Sequence, residues 1–197
     1  MPIKLNGTTF NNGGTAKFNG TTIKEIRFGT TTVWKAETPI LSSGTYASGY
    51  SGTYRGNLNG NTGYNPFSYT AGSGIKYEGT LVGNNTRQGN VYINQQINAS
   101  NFNSLTFKID SSSASWGSGA TGWTSGNKLQ FGLASATGSA TSSPTFTASQ
   151  SVASGSTLNA SYTIDISGQT GNQYIAIWIN LGGRAYSPWT ITDIILA

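Results

Sequence analysis

The chain has 197 residues, with 11 Lys+Arg against 6 Asp+Glu for a net charge of +5, and it contains no His and no Cys. That inventory excludes a Ser-His-Asp triad, a Cys-His nucleophile, a disulfide, an iron–sulfur cluster and an ordinary zinc site. Charged residues make up 9% of the chain against roughly 25% in average soluble proteins, while aromatics reach 12%, so solubility falls to neutral polar groups and the composition favours half-buried pleated surfaces.

The first 35 residues carry a degenerate repeat: Asn6-Gly7-Thr8-Thr9-Phe10, Asn19-Gly20-Thr21-Thr22-Ile23 and Phe28-Gly29-Thr30-Thr31-Thr32-Val33-Trp34. Each Gly-Thr step reads as a turn, and short strands joined by such turns predict a small β-meander. Ile23, Ile26, Phe28, Val33 and Trp34 are its apolar residues. A few short strands bury too little apolar area to be stable alone. Residues 36–39 form a junction. Residues 42–73, crowded with Gly, Ser, Asn and Tyr, predict long loops or weakly patterned edge strands.

Clear alternation follows. Ile75, Tyr77, Gly79 and Leu81 alternate with Lys76, Glu78, Thr80 and Val82, and Leu105, Phe107 and Ile109 alternate with Thr106, Lys108 and Asp110. Leu129, Phe131 and Leu133 repeat the pattern, as do Leu158 to Ile166, then Ile175, Ile177 and Ile179, and finally the strand from Thr190 to Leu196. One apolar and one polar face per strand predicts an all-β fold, an antiparallel sandwich over residues 36–197. The Ser/Gly/Thr stretches 111–126 and 135–143 read as loops between strands, the first bearing Trp116 and Trp123. No run approaches the ~18 apolar residues of a membrane span, and the start lacks the apolar core of a secretory signal, so the expectation is a soluble protein made in a cytoplasm with no membrane insertion. The Asn-x-Ser/Thr sequons then read as turns. The positive charge reads as spread along the chain without a basic stripe, which argues against nucleic acid as a partner.

The stretch from Lys17 to Lys35 resembles a module that opens many tail and virion proteins of phages infecting Gram-positive bacteria, where it is an attachment unit. The remainder is similar to jelly-roll domains of the carbohydrate-binding kind on phage tails, fibres and capsid surfaces, through Ser161 to Ser167, Gln173 to Ile179 and Trp189 to Leu196. The resemblance implies a meander (1–35) followed by a jelly-roll β-sandwich (36–197), in a non-catalytic virion protein assembled in the host cytoplasm. It also implies a homo-oligomer on the particle, other virion proteins as partners of residues 1–35, and cell-surface or mucus glycan as the ligand. A capsid decoration protein is the alternative within the particle.

Sugar rings stack their C–H faces on aromatic side chains and ring their hydroxyls with Asn, Gln, Arg or Asp. The glycan-binding candidates are Trp116, Trp123, Tyr186, Trp189 and the cluster Tyr46, Tyr50, Tyr54, Arg55 and Tyr64, although sandwich aromatics mostly pack across strands. No cofactor is expected. The resemblance places a structural calcium beside an acid of the closing strand, for which Asp193 with Glu37 are the weak candidates, since calcium takes six to eight oxygens and only six acids exist. The enzyme alternative is a jelly-roll glycoside hydrolase, which needs two carboxylates roughly 5 to 9 Å apart across a cleft. Glu78 opposed by Asp110, Asp165 or Asp193 is the available set, and the alternation places Glu78 beside Lys76 on a solvated face. An ice-binding Thr array from Thr30-Thr31-Thr32 fails because it does not recur at a fixed coil spacing.

Overall fold

The computed structural model describes residues 3–5, 8–10, 16–18, 21–23, 25–58, 64–78, 87–111, 128–152, 158, 160–181 and 188–197. The N-terminal repeat forms three antiparallel hairpins: β1 (Ile3–Leu5) with β2 (Thr8–Phe10), β3 (Ala16–Phe18) with β4 (Thr21–Ile23), and β5 (Glu25–Phe28) with β6 (Thr31–Lys35). Their registers are equivalent. Leu5 pairs with Thr8, Phe18 with Thr21 and Phe28 with Thr31, and the basic residue before each, Lys4, Lys17 or Arg27, faces Thr9, Thr22 or Thr32. At the third turn Gly29 has φ +61°, a value that glycine adopts without steric cost and that two-residue hairpin turns require. In the third hairpin Ile26 faces Trp34 and Arg27 faces Thr32, leaving Val33 as the extra residue of a bulge.

The sandwich contains β7 (Thr38–Ser42), β8 (Thr45–Tyr46), β9 (Gly52–Leu58), β10 (Phe67–Thr70), β11 (Gly74–Tyr77), β12 (Arg87–Ile93), β13 (Ile97–Asn98), β14 (Ser104–Ser111), β15 (Lys128–Ala136), β16 (Thr145–Val152), β17 (Ala160–Asp165), β18 (Asn172–Leu181) and β19 (Trp189–Leu196). A seven-stranded sheet runs β10-β11-β19-β14-β17, with β7 also on β19 and β8 on β7; a six-stranded sheet runs β16-β15-β18-β12-β9, with β13 on β18. The strand pairings in both sheets are antiparallel, so the fold is an all-β sandwich.

The inward phase matches the alternation. Leu105, Phe107 and Ile109 of one sheet meet Leu129, Phe131 and Leu133 of the other in a single buried cluster, with the Phe107 and Phe131 rings 4.8 Å apart. The closing strand departs from strict alternation: Lys108 faces Asp193 but Ile109 faces Ile191, so Thr192 is an extra residue. The inward set therefore switches from Trp189 and Ile191 to Ile194 and Leu196. In the stretch 42–73 the structure places a seven-residue edge strand, β9, and the strand read across Ile75 to Leu81 ends at Tyr77, with residues 79–81 falling outside the described residues.

Candidate functional site

Because Ile175, Ile177 and Ile179 point into the core, the alternate residues of β18 point outward, and the registers line them up across the sheet. One row reads Ser151, Gln130, Trp178, Asn90, Arg55 from edge to edge. The next reads Ser149, Gly132, Ala176, Tyr92, Thr53. The outer face is thus aromatic and polar.

Part of it is covered. Trp178 is 3% exposed and Ala176, Ala134 and Asn90 are fully buried, although all four lie on the side away from the core. The cover is the β15–β16 connection, residues 137–144. Arg55 donates through Nη1 to the Gly138 carbonyl at 2.6 Å, and Asn90 donates through Nδ2 to the Ser139 carbonyl at 2.6 Å. Gly138 and Ser139 leave β15, whereas Arg55 is on β9, three strands away, a span on the order of 14 Å. The connection is therefore a strap laid over β18 and β12.

Beside the strap the face is open. Tyr92 and Tyr174 are half-buried and meet edge to face at 5.9 Å. Arg55 also donates through Nη2 to the Tyr92 hydroxyl at 2.9 Å and lies 4.9 Å from that ring's centre, a cation–π contact. Thr53 donates to Asn94 Oδ1 at 2.6 Å on the same side. Under the strap Asn90 Oδ1 is buried and has no hydrogen-bond partner among the described residues. The strands of this sheet carry Arg55, Arg87 and Lys128 and no Asp or Glu, and residues 137–144 add no charge.

Among the described sequence candidates, Arg55 alone lies on this face. Trp189 is corrected outright: it is 1% exposed, with one ring face stacked on Tyr77 at 5.4 Å and Phe67 edge-on at 6.0 Å, so a sugar has no ring face to meet. Tyr46, Tyr50 and Tyr54 pack against the core near the edge strands β9 and β10, with Tyr46 also 4.7 Å from the Tyr69 ring. The Tyr46 and Tyr54 hydroxyls bond to each other at 2.7 Å. Burial is the main reason that the Tyr46 phenol stays protonated well above the ordinary tyrosine range, and burial pushes Tyr54 up to about 12. Tyr64 is half-buried, and its carbonyl lies where a Cβ on Gly56 would come within 2.5 Å. Trp116, Trp123 and Tyr186 lie outside the described residues.

Of the attachment residues, Ile23 and Ile26 are half-buried, Phe28 is 83% exposed, and Val33 and Trp34 are placed by register alone. The charge is not spread along the chain as read from its sequence. Residues 1–35 hold Lys4, Lys17, Lys24, Arg27 and Lys35 against Glu25 alone, a net +4 of the total +5.

The acids serve other ends. Asp193 accepts from the Ser43 N–H at 2.9 Å and the Thr192 hydroxyl at 2.9 Å, with Lys108 Nζ at 3.9 Å, while Glu37 is exposed. Among the described residues no three Asp or Glu side chains gather as a metal site. Glu78 pairs with Lys76 at 2.8 Å and accepts from the Ser68 hydroxyl at 2.5 Å. The bond from Lys76 first, then that from Ser68, holds its carboxyl below the usual range, opposite to what a general acid needs. Asp110 lines a cleft of about 410 Å³ with Lys76, Ser111, Pro188, Trp189 and Thr190 on the other sheet.

Trp178, Asn90, Tyr92 and Tyr174 escape a reading that follows only the isoleucines of β18. The available signal is that Tyr174, Ala176 and Trp178 make the off-phase positions apolar as well, which marks a strand covered on both faces. No family model, no curated protein and no solved structure matches the chain.

Proposed function

We propose that this chain is a non-catalytic attachment protein of a bacteriophage particle, in which residues 1–35 dock on neighbouring virion proteins and the sandwich displays a glycan-binding face outward. The observation that carries the reading is the outer face of the six-stranded sheet. Tyr92 and Tyr174 offer half-exposed rings for sugar C–H faces, and Arg55, Thr53 and Asn94 supply donors and acceptors around them. The absence of Asp and Glu from every strand of that sheet supports binding over hydrolysis, because glycosidic cleavage takes a pair of carboxylates.

The concentration of positive charge in residues 1–35 favours an acidic surface on the neighbouring virion protein. Many copies on one particle multiply weak single-site contacts into useful retention. The test is a glycan array probed with the full chain, followed by Tyr174→Ala and Tyr92→Ala. Retention that both variants lose, with unchanged circular dichroism, is the expected result. Retention that survives in both, or a purified protein that releases sugar from oligosaccharides, overturns it. Immunogold labelling then assigns the chain to tail or head surface.

A further inference from the structure

The two sheets differ in charge. The seven-stranded sheet carries Asp110, Asp165 and Asp193 with Lys76 and Lys108, whereas the six-stranded sheet carries only basic residues. At outward positions the charged residues of that sheet are Arg55 and Lys128, Arg87 being in register with Leu58 and Leu181 on the inward phase. A ligand approaching the candidate face therefore meets positive charge and no carboxylate on the sheet. Arg55 stands at the end of the central row. Guanidinium presents five N–H donors, and here one nitrogen serves the Gly138 carbonyl and the other the Tyr92 hydroxyl.

Next to it in the row, Asn90 supplies the complementary need. Its Nδ2 is taken by the Ser139 carbonyl, and its buried Oδ1 lacks a donor among the described residues. A group that satisfies both positions must accept at Arg55 and donate at Asn90. Neutral sugars satisfy the second and use the first poorly, and simple carboxylates do the reverse. A hydroxylated acid does both.

We propose that the Arg55–Asn90 pair is a subsite for a carboxylated saccharide, such as a uronic acid residue, and that the Gly138 and Ser139 carbonyls of the strap hold the ligand oxygens' places until it binds. The proposal rests on reading the outer face as a glycan site and adds the class of sugar. The carboxylate takes over the guanidinium N–H that now reaches Gly138, adjacent ring hydroxyls donate to Asn90 Oδ1 and accept from its Nδ2 in place of the Ser139 carbonyl, and residues 137–144 lift from the sheet. The two acceptors given up are backbone carbonyls that water can then satisfy, so release of the strap leaves no buried orphan.

The experiment uses the full chain on an array in which every acidic oligosaccharide is printed beside its carboxyl-reduced counterpart. Charge-assisted hydrogen bonds contribute about 1.5–3 kcal/mol, so the acidic member of at least one pair should be retained roughly tenfold or more over its reduced form. R55Q should bring that ratio close to one, and R55K, which keeps the charge without the fork, should fall between. Amide exchange in residues 137–144 should quicken when the best acidic member, the probe, is added at saturation. Retention of glycans with no acidic preference in any pair overturns the inference and leaves the glycan reading standing. Slower strap exchange on saturation overturns the place-holding role. An array that retains nothing overturns both.

Discussion

Replacing Trp189 with alanine separates the core of this molecule from its candidate face. Trp189 is 1% exposed, stacks on Tyr77 at 5.4 Å and meets Phe67 at 6.0 Å. Truncating a buried Trp removes about 3–5 kcal/mol through lost transfer energy and the cavity left behind. Two lost aromatic pairs, at roughly 0.5–1.5 kcal/mol each, put the change toward the upper end. At this chain length each kcal/mol moves Tm by about 2–4 °C, so W189A should melt roughly 10–20 °C below the parent by circular dichroism. Tyr174 is half-buried with one edge contact to Tyr92 at 5.9 Å. Y174A should therefore lose about 1 kcal/mol and about 2–4 °C. Well below their melting points the binding order reverses: W189A retains glycan and Y174A does not. A W189A protein that melts with the parent and loses retention would place Trp189 in solvent and refute the assignment.

Raising pH should weaken the fold through the Tyr46–Tyr54 pair. Both phenols have folded-state values above the ordinary tyrosine value of 10, so the unfolded chain releases its protons first; stability is intact below pH 10 and falls through about 12 for Tyr54. Urea midpoints across that range should drop in the parent and drop less in the Y46F/Y54F double variant, and equal slopes would remove the pair as the cause. On the acid side, Glu78 contributes above its ordinary value of 4.5 and loses that contribution as pH falls through its lowered folded value. Its side chain is 36% exposed, so E78Q should cost no more than about 1 kcal/mol at neutral pH and leave glycan retention unchanged. Deleting residues 1–35 removes no member of the buried cluster, which begins at Ile40. The truncated sandwich should melt cooperatively within about 4 °C of the full chain while losing incorporation into particles, and a loss of folding would tie the hairpins to the sandwich.

Strand phase is legible in this sequence where one face is buried and the other wet. Leu105, Phe107 and Ile109 are fully buried and Lys108 and Asp110 are exposed, as alternation requires. It is illegible in β9, where Gly52 and Gly56 flank Tyr54 on the inward phase. A Cβ on Gly56 would come within 2.8 Å of the Asn65 Cα, so the packing of residues 64–66 demands glycine where a hydrophobic signal would otherwise stand. The bulge at Thr192 is equally silent, since an extra residue shifts phase without a composition change.

The candidate site is harder to read for a different reason: none of it is local. Arg55 and Gly138 are separated by 83 positions and Asn90 and Ser139 by 49. No spacing rule along the chain links residues that meet only through the cross-strand registers β9–β12–β18–β15. What the sequence does contain is the distribution of acids, because Glu and Asp can be assigned to strands once the alternation is read. All three strand-borne acids of the sandwich fall in one sheet, leaving the other with Arg55, Arg87 and Lys128 unopposed within its own strands. An all-basic sheet could instead be balanced by a wet, lysine-rich rim, but Arg55 is half-buried and spends its fork on a carbonyl and a phenol. A guanidinium placed there has no carboxylate partner and takes its acceptors from the strap carbonyl of Gly138 and the Tyr92 hydroxyl, the arrangement on which the proposed acidic subsite rests.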